Sequence, residues 1–61
     1  MERNESKIQE YINKINKMYS NNRRMAWGRV GTMLRRDRAL GLLTDLEYKE
    51  LSVYNYDKDR N

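Results

Sequence analysis

Six arginines fall within sixteen residues, at Arg23, Arg24, Arg29, Arg35, Arg36 and Arg38, with Gly28 and Gly31 spaced among them. A guanidinium is a rigid planar fork of donors, a shape that matches phosphate and carboxylate oxygens. Asp37 is the one acid in this stretch, so the stretch carries +5 while the remainder of the chain sums to −1. The chemistry on offer is recognition of an anionic group. Catalysis is poorly served. With no His and no Cys, proton transfer would fall on carboxylates, Lys or Tyr. The carboxylates are scattered, mostly toward helix starts, where they complement the helix dipole. Gly28-Arg29-Val30-Gly31 is too short for a phosphate-cradling loop and follows no strand. Lack of Cys and His also removes disulfides and ordinary zinc sites. The sequence predicts a binding protein with no enzymatic activity, no metal and no cofactor.

Three helices must position these groups. There is no Pro, Gly is scarce, and strand-like alternation is not sustained. Ile8, Tyr11, Ile12, Ile15, Met18 and Tyr19 follow one-faced helical spacing, which predicts a first helix over about Ser6 to Tyr19. Ser6-Lys7-Ile8-Gln9 has capping-box spacing. Ser20-Asn21-Asn22 interrupts the pattern with cap-prone residues. A second helix is expected from about Arg23 to Leu40, closed by Gly41 in a left-handed cap. Thr44-Asp45-Leu46-Glu47 is another capping box, with Leu43 able to staple onto Tyr48. Leu46, Leu51, Val53 and Tyr54 carry the third helix to about residue 54. The fold class expected is therefore all-α, a helical hairpin plus a short third helix, alone or as a dimer. Residues 1–54 form one domain and 55–61 a frayed polar tail. The rival is one long helix through Ser20–Asn22 that dimerises. Leu40 to Tyr48 resembles the turn that ends many short bacterial helical modules, including the SHOCT type. The resemblance implies helix-stop and helix-start geometry and no function.

On the second helix, Ala26, Trp27, Val30, Met33, Leu34 and Leu40 gather on one side, which makes Trp27 the expected anchor of the core. Gly28 and Gly31 fall among Arg24, Arg35 and Arg38, well away from that face, and Arg29 and Arg36 flank the other side. Two helical glycines cost about 1 kcal/mol each relative to Ala, and Arg23 and Arg24 sit where the dipole disfavours cations. Departures of this kind tend to mark functional surfaces. The bland alternative is a solvated charged face loosened by glycine. Asp37 lies on the apolar side, so it either pairs with an Arg or a Tyr hydroxyl, or is exposed where the helix ends. Tyr54 and Tyr56 are candidates for exposed contact, since aromatics, Met and Arg are enriched at interfaces.

Sixty-one residues bury little surface, so such a chain relies on good packing, self-association or a partner. No apolar run exceeds three residues, too short for a signal peptide or membrane helix, which predicts a soluble cytosolic protein. The functional expectation is a small regulatory or adaptor protein that binds a larger protein or itself, in the style of a phage or mobile-element accessory protein. The alternative is a DNA- or RNA-binding protein that reads phosphates and shape through residues 23–38.

Overall fold

The computed structural model describes residues 4–61. It contains three helices: α1 (Glu5–Asn21), α2 (Arg23–Ala39) and α3 (Asp45–Arg60). All described elements are helical, as the sequence predicts, and none is long and apolar enough to cross a membrane. The apolar spacing of α1 places Ile8, Tyr11, Ile15 and Tyr19 in the core, with Ile12 and Met18 partly buried beside them. Ala26, Val30 and Leu34 meet them from α2, Leu51 from α3 and Leu43 from the turn.

Helix α1 starts earlier than its sequence signal. Asn4, not Ser6, is the cap: its side chain accepts the Lys7 N–H at 3.0 Å. Asn22 alone separates α1 from α2. Its extended backbone (φ −158°) breaks the helix, its N–H donates to the Met18 carbonyl, and its side chain accepts the Met25 N–H at 3.4 Å. One Asn thus closes one helix and opens the next, and the long-helix alternative is overturned. After α2, Gly41 takes φ +80°, and the Leu42 N–H reaches back to the Asp37 carbonyl at 2.8 Å. That six-to-one bond is the Schellman closure, which favours glycine at the left-handed position. Thr44 and Glu47 then form the predicted capping box.

Cross-helix bonds give the directions. Tyr11 meets Asp37, and Arg38 meets Asp45, so α2 runs antiparallel to both neighbours; Lys7 meets Glu47 and Asn16 meets Tyr54, so α3 runs parallel to α1. Instead of crossing a hairpin as a short piece, α3 lies alongside it to Arg60. The expected frayed tail is helical because two polar ties hold it. Asn55 is buried, accepting the Tyr19 hydroxyl at 2.6 Å and donating to the Trp27 carbonyl at 3.5 Å. Arg23 donates to the carbonyls of Lys58 and Asp59 at 2.9 and 3.3 Å, a cation on the last carbonyls of α3.

Two buried carboxylates complete the core. The Tyr11 hydroxyl donates to Asp37 at 2.5 Å and Arg36 Nε donates at 3.1 Å, the paired arrangement that a buried acid requires. Burial pushes the Asp37 carboxyl up, but these two bonds outweigh it and hold it below its usual value. Burial, then Asp37, push the Tyr11 hydroxyl up to about 12. Glu47 is 1 % exposed and accepts from the backbone N–H of Thr44 (2.9 Å) and of Asn4 (3.2 Å), and from Lys7 Nζ (2.9 Å). The Thr44 amide, with the other donors against the opposing effect of burial, lowers its carboxyl to about 2.

The sign of the pH dependence follows. A carboxyl depressed in the folded state stabilises above its unfolded pKa, about 4.3, and that contribution is lost as pH falls toward 2. Urea unfolding should therefore show stability falling from pH 5 to about 2. In Glu47→Gln that acid slope should flatten, at a cost of about 2–3 kcal/mol near pH 7. Tyr11→Phe should cost about 1.5–3 kcal/mol by removing a bond to a buried charge. It should also abolish the loss of stability expected as pH rises from 10 through about 12.

Candidate partner-binding face

Helix α2 buries small and medium residues on its inner side and shows three other surfaces. Toward α3 it presents Trp27, Gly31, Arg35 and Arg38; toward α1 it presents Met25, Arg29, Met33 and Arg36; Gly28 lies between.

Along α2 and α3 runs an open groove of ≈ 550 Å³ between Trp27 and Arg38 on one wall and Tyr48, Lys49, Ser52, Val53 and Tyr56 on the other. Trp27 is 47 % exposed and meets the Tyr56 ring edge-on, centroids 6.3 Å apart. Trp27 is thus no core anchor. At 100° per residue it sits on the shoulder of the buried stripe, and the small side chains of Ala26 and Val30 take the centre. Leu40, expected on the same buried face, is 66 % exposed at the C-cap. Arg38 lies over the Tyr48 ring at 4.3 Å and 3.9 Å from Asp45. Arg60 Nη1 donates to the Tyr56 hydroxyl at 2.8 Å. Val53 (55 %) and Leu46 (53 %) continue the exposed apolar line on α3, seven residues apart and therefore on one side.

The glycines open a smaller crevice beside this groove. Gly28 and Gly31, with Trp27, Leu34, Arg35, Ser52 and Asn55, enclose ≈ 230 Å³. A methyl group at Gly28 would meet nothing within 4 Å, and one at Gly31 would lie 3.5 Å from Arg35 Nη1. Neither glycine is there to relieve a clash.

The remaining candidates separate. Arg29 and Arg36 border a second open groove with Met18, Met25, Thr32 and Met33. Arg36 is committed to Asp37, while Arg29 Nη2 lies 3.9 Å from Met25 Sδ. Arg24 is exposed. Tyr54, expected in exposed contact, is half-buried and donates to Asn16 at 2.8 Å, a bond between α1 and α3. Tyr56 is half exposed, as expected. Sequence reasoning missed Trp27, Val53 and Leu46 as surface residues. Their signal was the spacing of Leu46, Val53 and Tyr56, which puts one apolar stripe on the side of α3 opposite Leu51.

No family model, no curated protein and no solved structure matches the chain.

Two expectations test this geometry. Trp27→Ala should leave the fold intact and cost about 1–2 kcal/mol, short of the ~3–5 kcal/mol of a fully buried aromatic, by thermal unfolding. Gly28→Ala and Gly31→Ala should each raise stability by up to about 1 kcal/mol, because both are helical and have room for a methyl group.

Proposed function

We propose that this chain is a non-enzymatic adaptor or regulatory module that binds another protein molecule, a larger partner or a further copy of itself, through the α2–α3 face. The observation that carries this reading is the cluster of Trp27, Val53 and Tyr56, each about half exposed along one groove of so small a molecule. Contiguous exposed apolar side chains with a charged rim are the usual mark of a protein contact, and Trp, Tyr and Arg supply most binding energy where partners meet. The buried ionisable groups favour binding over catalysis as well. Tyr11, Tyr19, Asp37 and Glu47 all direct their bonds inside the fold. Among the described residues no buried side-chain polar atom lacks a partner.

One observation favours the second reading, nucleic-acid binding. Arg24, Arg29 and Arg35 have no carboxylate partner among the described residues and surround the bare surface at Gly28.

Affinity capture from lysate of the source cells, with and without nuclease, separates the two. For protein binding, the captured protein should survive nuclease and be lost with Val53→Glu. For nucleic-acid binding, nuclease should empty the bait, and each of Arg24→Gln, Arg29→Gln and Arg35→Gln should flatten the salt dependence of duplex or RNA affinity by about one unit.

A further inference from the structure

On the side turned away from α3, α2 forms a second groove with α1. Met25 and Met33 from α2 and Met18 from α1 give it an apolar floor. Met25 is half exposed, and the other two are partly buried against the core. The space is ≈ 550 Å³, and bare Gly28 leaves its outer edge open. Arg29 and Arg36 complete the wall, and no acid lines it. Once pairs are set aside, the charges around this groove have one sign. Arg36 answers the buried Asp37. Lys14 lies over the Tyr11 ring and is balanced by Glu10, one turn earlier, whose charge also acts on Tyr11. Glu5 lies more than a turn beyond the contact of Tyr11 with Asp37, past the end of the groove. That leaves Arg29 in the wall, Lys17 on the exposed back of α1, and Arg24 and Arg35 on the back of α2. None of these four has a carboxylate partner among the described residues.

We infer that this α1–α2 groove binds an acidic amphipathic helix of a partner protein. The inference goes beyond the α2–α3 contact and does not rest on it. Methionine side chains are unbranched and adapt to what they cover, which suits a groove that receives a helix. Met25 and Met33 are eight residues apart, about 12 Å along α2. Both are therefore in reach of apolar side chains at i, i+4 and i+7 of one docked helix. Acids beside that apolar line meet Arg29 in the wall and Lys17, Arg24 and Arg35 on the flanks, where a basic helix would be repelled. A phosphate backbone would satisfy the arginines and leave three methionines with nothing apolar against them. A second copy has no such helix to offer. The outer side of its α3 mixes Asp45 and Asp57 with Lys49 and Arg60, and the backs of α1 and α2 are basic. The groove of Trp27 and Tyr56 lies on the opposite side of α2, so filling one groove leaves the other free.

The test is selection on the full chain from a displayed library of random peptides about 16 residues long, enough for four helical turns. Selected peptides should carry Asp or Glu beside apolar residues at i, i+4 and i+7. They should bind Met25→Glu and Arg29→Glu at least tenfold more weakly than the wild type. Both positions are exposed, and an acid at position 25 suits the first turn of α2, so circular dichroism should show the fold intact. In the complex the methyl NMR signals of Met18, Met25 and Met33 should shift while those of Val53 stay in place. Val53→Glu should bind the same peptides as the wild type does, which separates this groove from the α2–α3 contact. A library that yields no binder, or yields basic or uncharged peptides, overturns the inference. Peptides that bind Met25→Glu and Arg29→Glu undiminished overturn it as well. If binding is lost with Val53→Glu instead, the α2–α3 contact stands and this groove falls. If a DNA duplex shifts the Met18 and Met33 methyls and no selected peptide does, the groove belongs to nucleic acid and the acidic helix is overturned.

Discussion

The carboxylate of Glu47 sits where three pieces of chain meet: the start of α1, the turn after α2 and the first turn of α3. With both oxygens engaged by Thr44, Asn4 and Lys7, it fixes the level at which α3 begins relative to α1. Apolar contacts alone do not fix levels well, because Ile, Leu and Val side chains slide past one another at little cost. In this small core the polar bonds set register. Tyr11 to Asp37 ties α1 to the C-terminal end of α2, Tyr19 to Asn55 ties α1 to the far half of α3, and Glu47 holds the other end. Each of these groups is costly to bury unpaired. A one-residue slip would strand all three, which narrows the chain to one packing.

The arginines divide once the helices are in place. Arg23 opposes the dipole of its own helix yet caps the end of α3; Arg36 neutralises a buried acid; Arg38 covers an aromatic ring. What reads as one basic run along the sequence is three structural residues and three, Arg24, Arg29 and Arg35, with no carboxylate partner among the described residues.

Much of this architecture was legible in the residues. The spacing of α1, the left-handed glycine at position 41, the Thr44–Glu47 box and the need of Asp37 for a Tyr or Arg partner all act over a few residues or follow from burial itself. The extension of α3 was not legible, because Asn55, Lys58 and Asp59 read as a polar tail until Tyr19 and Arg23 arrive from more than thirty positions away in the chain. Trp27 misled for a related reason. A helical wheel places it beside the core residues, but how wide a stripe is covered depends on how closely the neighbouring helices approach. At the candidate face, the arginines and glycines announced themselves by breaking helix preferences. Leu46 and Val53 broke none and read only as residues that carry the third helix, so Tyr56 alone of that stripe stood out.

The bond from Arg23 to the last carbonyls of α3 links the first residue of one helix to the final turn of another. Helix ends ordinarily open independently and exchange their amide hydrogens fastest, with opening free energies near zero. Here the end of α3 cannot unwind without giving up the Arg23 side chain at the start of α2. Asn55, buried one turn earlier, couples the same turns to Tyr19 at the end of α1. The final turns of α3 are therefore tied to the junction around Asn22 from two sides, and the amides of residues 55–60 should exchange more slowly than those of a loose end.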